Sequence, residues 1–312
     1  MYYYKIYGQC VVSDLEMPRL LCADPADCTD DQSISVIQGN MPAPYDQMPG
    51  KSYHYSSDIS FLSNDGCNLL IINGKKIIYE IKPNPYSKSL VSYILGFGMA
   101  MLFLQRKQLA FHCSCVAKDE RAILICGPSG SGKSTITNAL IKKGFKLMSD
   151  DMTIVDPLHH DHPMAYPAFP YQKLCRNVVE NQKLDKNNLE YINETKDKYL
   201  VPEPAFYDKA APVHAMINLA VSDTLPTDGD ASHRQNPHAF AWCKLKGITT
   251  WETCKQALFL HACVAGNLHE KELAEPTLRF SSLCPMYQIV RRNNMDSTEE
   301  IVNLIENIIN ES

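Results

Sequence analysis

The chain has 312 residues, 45% of them hydrophobic and 21% charged, with a formal net charge of −5 and a pI near 6.1. This is the profile of a globular protein of about two domains, and it excludes a protein-wide basic face of the kind nucleic acid requires. The twelve cysteines fall short of the ~8–10% that marks a disulfide scaffold, and none is spaced Cys-x-x-Cys, so buried reduced thiols and a cytoplasmic setting are expected.

Met1-Tyr2-Tyr3-Tyr4-Lys5 lacks the basic and apolar regions of a signal peptide. Residues 1–88 read as a smaller β-rich region. Tyr4–Val12 alternates loosely, and the apolar runs Leu69–Ile72 and Ile77–Ile81 flank Asn73-Gly74, a strong hairpin signal. The polar, proline-containing stretch 23–58 reads as loop. Leu90–Leu104 is fifteen residues without a charge, short of the ~18–20 needed to span a bilayer. It predicts a buried core helix over about 88–106, and no membrane partner.

A strand is expected at 109–117, a polar turn at Lys118–Arg121, and a buried strand at Ala122–Cys126. Ser134–Lys143 has helical apolar spacing, with Gly144 as C-cap. Phe145–Met148 and Met152–Val155 read as strands flanking Ser149-Asp150-Asp151. Residues 156–212 read as irregular and 213–221 as a strand. Of the polar stretch 222–239, residues 223–239 are a candidate lid over the substrate. A helix is expected at 251–268. Ser297–Ile309 reads as an amphipathic helix, with Ser297 as N-cap and Glu300 completing a capping box.

Gly127-Pro128-Ser129-Gly130-Ser131-Gly132-Lys133-Ser134 matches the phosphate loop G-x-x-x-x-G-K-[ST], with a strand before it and a helix after. The glycines let backbone N–H groups turn inward around phosphate oxygens, and the following helix presents its positive end. Lys133 is expected on the β- and γ-phosphates and Ser134 on Mg²⁺, with Thr135 completing the nucleotide contacts. ATP and Mg²⁺ are the cofactors so implied.

Asp150 and Asp151 close the next strand, sixteen and seventeen residues after Ser134. One can hold the metal while the other accepts a proton from an attacking hydroxyl. Two adjacent carboxylates also repel, an effect expected to raise one pKa. His112 stands fifteen residues before Gly127; on spacing alone it reads more readily as a satisfied core histidine than as a functional one. His159-His160-Asp161-His162 lies between Pro157 and Pro163 and reads as a solvated loop rather than a metal cluster.

Together, Phe111-His112-Cys113-Ser114-Cys115-Val116, the glycine loop, and Lys143-Gly144-Phe145-Lys146-Leu147-Met148-Ser149-Asp150-Asp151 resemble the C-terminal catalytic domain of HPr kinase/phosphorylase. The resemblance is confined to about 109–155. It implies an α/β fold with a P-loop kinase core of the HPr kinase/PEP carboxykinase-like type over 89–312. It also implies catalytic roles for Asp151 as base, His112 and Lys133, with Asp150 joining Ser134 at the metal.

The family's second signature, with its metal-binding Glu and Arg-Gly, is absent here. Tyr166–Arg176 and Lys196–Tyr199 stand in its place. In layout the chain is similar to stand-alone serine kinases of the lasso-peptide type, which implies Lys173, Arg176 and Lys198 as substrate contacts. The expected activity is transfer of the ATP γ-phosphate to a serine-type hydroxyl of a peptide or protein. A small-molecule alcohol kinase and a nucleotide sensor without transfer are the alternatives. Among related kinases homo-oligomers are common, which leaves a second copy open as a partner.

Overall fold

The computed structural model describes residues 1–29, 33–48, 50–83, 90–181, 183–193, 197–225, 234–236, 239–261, 270–293 and 295–310. The N-terminal region is a sheet of eight strands: β1 (Tyr2–Ile6), β2 (Gln9–Ser13), β3 (Leu21–Cys22), β4 (Ile34–Gln38), β5 (Ser52–His54), β6 (Ile59–Ser63), β7 (Cys67–Ile72) and β8 (Lys76–Ile81). Their order is β3-β1-β2-β4-β8-β7-β6-β5. The hairpin expected at Asn73-Gly74 joins β7 to β8. Asn73 and Gly74 both have positive φ, 51° and 61°, at the centre of a tight turn in which the Lys75 N–H donates to the Ile72 carbonyl at 3.0 Å. The loop expected across 23–58 contains strands instead. β4 lies between β2 and β8, parallel to both, because Ile34 and Val36 alternate into the core and are fully buried.

The apolar run after it forms α1 (Leu90–Tyr93), a π turn over Ile94–Gly98, and α2 (Met99–Gln105). Met99 to Leu104 are all buried, as expected for a helix apolar on every side. Gly98 permits close packing on the sheet, since a Cβ there would stand 3.3 Å from Ile77 Cδ1. Phe103 meets Tyr7 edge-on at 5.4 Å, and Gln105 Oε1 accepts the Gly74 N–H at 2.7 Å. One apolar cluster accordingly runs from Tyr4 and Leu69 through α2 to Leu109 and Ile154, across the boundary expected at residue 88.

The second sheet is built from β9 (Leu109–Phe111), β10 (Cys113–Lys118), β11 (Arg121–Cys126), β12 (Lys146–Ser149), β13 (Thr153–Asp156) and β14 (Met164–Tyr166). A small separate sheet follows, from β15 (Tyr171–Cys175), β16 (Glu190–Asn193) and β17 (Lys198–Pro202). β18 (Ala211–Ser222), β19 (Arg234–Asn236), β20 (Phe240–Lys244) and β21 (Met286–Arg292) complete the second sheet. β11, β18 and β21 are parallel neighbours. On β11, Ile123 and Ile125 pack with α3 (Lys133–Lys142) and the C-terminal helix Thr298–Asn310, while Leu124 and Cys126 face α2 and the helix Glu270–Leu283. A strand covered on both faces is apolar throughout, as 122–126 is. The fold is mixed α/β.

The stretch 109–118 changes partner at His112. Phe111 pairs with Thr153 of β13, whereas Cys115 pairs with Ser149 of β12. The facing chain breaks at the same level, across Asp150, Asp151 and Met152. Two interrupted strands thus bring these residues side by side.

Residues 156–212, expected to be irregular, hold β14 to β17 and the helix Arg176–Asn181. The helix expected at 251–268 spans Ile248–Gln256, and 262–269 lie outside the described residues. The C-terminal helix is capped by Asp296, whose Oδ1 accepts the Thr298 N–H at 2.9 Å. Ser297 is instead buried, with its hydroxyl unpartnered among the described residues, so the expected capping box does not form. The eleven described cysteines are free, Cys113, Cys115 and Cys126 among those buried. Among the described residues no helix is long and apolar enough to cross a membrane.

Phe103→Ala removes a fully buried ring from the core that the N-terminal sheet shares with the second one. Chemical denaturation should show a loss of roughly 3–5 kcal/mol; a loss below about 1 kcal/mol would mean that the two sheets do not share a core.

Candidate functional site

β11 ends at Cys126 and α3 begins at Lys133, so the glycine loop spans a strand end and a helix start. Two of its glycines are obligatory. Gly127, at φ 136°, lies so close to the Leu219 carbonyl of β18 that no Cβ fits. Gly132, at φ 99°, is the N-cap of α3. Lys133 folds back over the loop, and its Nζ donates to the Gly127 and Pro128 carbonyls at 2.6 and 3.0 Å. Pro128, Ser129 and Gly130 are exposed, and Ser134 and Thr135 begin α3, half-buried and exposed respectively. The Ser131 side chain is buried with its hydroxyl unpartnered among the described residues.

The two aspartates diverge. Asp150 Oδ1 accepts the Ser114 hydroxyl at 2.6 Å, and its Oδ2 accepts the Lys173 backbone N–H at 2.7 Å. Asp151 Oδ2 accepts from Lys173 Nζ at 2.6 Å. Both side chains of that ion pair are 25% exposed. Burial raises the Asp151 pKa, but Lys173, His112 and Lys198 outweigh it and hold the carboxyl at about 2. The expectation of a pKa raised by repulsion therefore fails for Asp151, because nearby cations and a direct ammonium donor overcompensate the neighbouring charge.

His112 sits at the break in its strand. Its backbone N–H donates to the Ala257 carbonyl at 2.7 Å, and its ring meets Phe259 edge-on at 5.8 Å. Burial lowers its pKa; Asp151 opposes the shift, while Lys133 and Lys198 add to it. The imidazole is therefore neutral at pH 7. Nδ1 lies 3.0 Å from the Asp151 backbone oxygen, which can only accept, so Nδ1 carries the proton and Nε2 keeps its lone pair. Nδ1 is also 3.9 Å from Asp151 Oδ1.

The Lys198 charge acts on His112, Lys133 and Asp151 alike, so β17 brings it to the group that contains the loop lysine. Lys133 itself is shifted down by burial, with Lys198 adding to the shift and Asp151 opposing it. Arg176 is engaged elsewhere. Its Nε and Nη2 donate to Asp197 at 2.6 and 2.8 Å, and its guanidinium lies 5.4 Å from the Tyr199 ring centre.

Ser114 was not singled out in the sequence, although its place two residues after His112 on one strand was a usable signal. Arg291, which donates to the loop carbonyls, gave none, since it lies 160 residues away from Ser131. His159 contacts the Asp156 carboxylate and His160 the Tyr166 hydroxyl. Among the described residues no group of three or more His, Cys, Asp or Glu could hold a metal ion. Of the candidate lid 223–239, residues 226–233 and 237–238 lie outside the described residues.

No family model matches the chain. The checkpoint protein rad17 of Schizosaccharomyces pombe is 23% identical over 213 residues, covering 62% of this chain. The chain spans about a third of that relative, 34% of its length. Among solved structures, the Hpr(Ser) kinase/phosphatase from Coxiella burnetii is similar at a TM-score of 0.32 and 15% identity, covering 64% of this chain and 93% of that one.

Lys173→Met removes the ammonium that holds Asp151 ionised and leaves burial less opposed. Carboxyl-carbon NMR titration should show the Asp151 pKa rising from about 2 toward or above the ordinary aspartate value of 3.8. The sign follows from linkage: a depressed carboxyl pKa stabilises the fold above the unfolded value, and the gain is lost as pH falls through the folded one. The variant should therefore lose stability at neutral pH but little at pH 2. An unchanged titration would mean that Lys173 does not set the charge of Asp151.

Proposed function

We propose that the chain is an ATP- and Mg²⁺-dependent kinase that transfers the γ-phosphate to a serine-type hydroxyl of a peptide or protein. The observation that carries this reading is Asp151: an ionised, partly buried carboxylate that shares an electrostatic environment with the phosphate-loop lysine. A loop that only binds nucleotide has no need of such a carboxylate. Nor does it need a neutral histidine beside it.

In this reading Gly127–Thr135 hold the triphosphate, with Lys133 leaving the Gly127 and Pro128 carbonyls for the phosphate oxygens. Ser134 and Asp150 offer hydroxyl and carboxylate oxygens, the hard donors that Mg²⁺ takes. Each Asp150 oxygen spends one lone pair on Ser114 or Lys173 and keeps another. Mg²⁺ takes few protein ligands and completes its shell with phosphate and water, which suits the lack of a larger acidic cluster among the described residues. When bound, Mg²⁺ neutralises charge on the phosphates.

The acceptor hydroxyl oxygen forms a bond to the γ-phosphorus as the bond to the β,γ-bridging oxygen breaks, and ADP leaves. The hydroxyl proton passes to Asp151 Oδ1, since Oδ2 is held by Lys173. A carboxylate of pKa about 2 is a weak base. In a loose phosphoryl-transfer transition state, however, the base chiefly orients the hydroxyl and takes its proton late. Lys173 and Lys198 place positive charge where the acceptor side of the phosphate develops charge.

Transfer of labelled γ-phosphate from ATP into a degenerate library of serine peptides tests the reading. Asp151→Asn should cut transfer by roughly 10²–10⁴-fold while nucleotide affinity stays near wild type. Wild-type turnover by this variant would remove Asp151 from the role of base.

A further inference from the structure

The outer side of the phosphate loop is gripped by one side chain from a distant part of the chain. Arg291 stands near the C-terminal end of β21, and β18 separates that strand from β11. Its Nε donates to the Ser131 carbonyl at 2.9 Å, and its Nη2 lies 3.5 Å from the Gly130 carbonyl. The guanidinium lies against Gly132: a Cβ at that position would stand 3.2 Å from Nε and 3.3 Å from Nη2. Gly132 is thus required twice, for its positive φ and for the room the guanidinium occupies. The Arg291 charge also reaches Asp296 and helps to lower its pKa, and the Asp296 carboxylate accepts the Thr298 N–H at the start of the C-terminal helix.

A trans peptide is planar, so its carbonyl and N–H point in opposite directions. A Ser131 carbonyl held toward Arg291 turns the Gly132 N–H away from it, to the opposite side of the loop. A cation on the carbonyl also polarises the peptide and makes that N–H a stronger donor. The Ser131 N–H is already spent on the Pro128 carbonyl at 3.2 Å. Gly132 therefore carries the amide whose direction Arg291 controls.

We infer that Arg291 is a positioning residue for phosphate binding: its guanidinium holds the outer carbonyls of the loop so that the Gly132 amide is pre-aimed at a phosphate oxygen. The inference rests on the phosphate-binding part of the proposed function and is independent of any acceptor. The loop is thus braced by a side chain 160 residues further along the chain.

The test uses the full chain as wild type, Arg291→Met and Arg291→Lys. Hydrogen exchange of the unliganded protein should be faster in Arg291→Met across 127–135 and unchanged in the core strands. Affinities for Mg·ATP and for inorganic tripolyphosphate should both fall about tenfold, the size of effect expected when a charged donor is lost. Arg291→Lys should recover part of each, because one ammonium can still reach one carbonyl.

Unchanged loop exchange with wild-type affinity in Arg291→Met would overturn the inference. So would exchange gains spread over β21 and the C-terminal helix, which mark a merely structural residue. A wild-type chain that binds Mg·ATP but phosphorylates nothing would end the kinase reading, while the Arg291 comparison would still be decided by its own two measurements.

Discussion

The arrangement depends on the backbone of Asp151. This residue sits at φ 71°, a left-handed conformation that costs a non-glycine residue of order 1–3 kcal/mol and persists only where its surroundings impose it. Two contacts impose it here. The His112 Nδ1–H donates to the Asp151 carbonyl at 3.0 Å, and Lys173 Nζ takes its carboxylate at 2.6 Å. The turn so fixed ends β12, starts β13, and coincides with the break at His112 in the facing strand. Without it the two strands would run on as one continuous ladder, and neither the acid pair nor the histidine would leave the sheet.

Charge compensation follows from that geometry. A carboxylate taken out of water needs partners, and here two cations supply them, Lys173 on β15 and Lys198 on β17. The small sheet β15-β17-β16 is the carrier of both lysines, and Arg176 with Asp197 braces its edge. Burial pushes the His112 pKa down, with the Lys133 and Lys198 charges adding, and the hydrogen bond to the Asp151 backbone oxygen fixes its tautomer. The histidine therefore acts on the site as a neutral donor to the backbone, rather than as a counter-ion to the acid.

Much of the site was legible because its signals are local. A glycine loop between a buried strand and a helix can be read within ten residues, and the tandem aspartates stand at the end of the next strand. The hairpin at Asn73-Gly74 and the all-apolar helix over 90–105 were legible for the same reason. What could not be read depends on distant partners. β4 has three apolar residues in a polar stretch and becomes a strand because β2 and β8 flank it. β15 and β17 are only five residues each and lie in a stretch without a clear period, and their pairing brings Lys173 and Lys198 to Asp151. The downward shift of Asp151 reverses what two adjacent carboxylates suggest, since the cations responsible lie 22 or more residues away in sequence. At the last helix the Ser297 carbonyl accepts the Ile301 N–H at 3.0 Å, but the Asp296 carboxylate rather than the Ser297 hydroxyl takes the Thr298 N–H.

The central claim is that this loop and this carboxylate together move a phosphoryl group. Phosphorus NMR of the wild-type chain with ATP, Mg²⁺ and the serine-peptide library tests it most directly. The account predicts a new phosphomonoester resonance that grows in step with ADP. Release of ADP with inorganic phosphate and no phosphopeptide, or binding of ATP with no turnover, would contradict it.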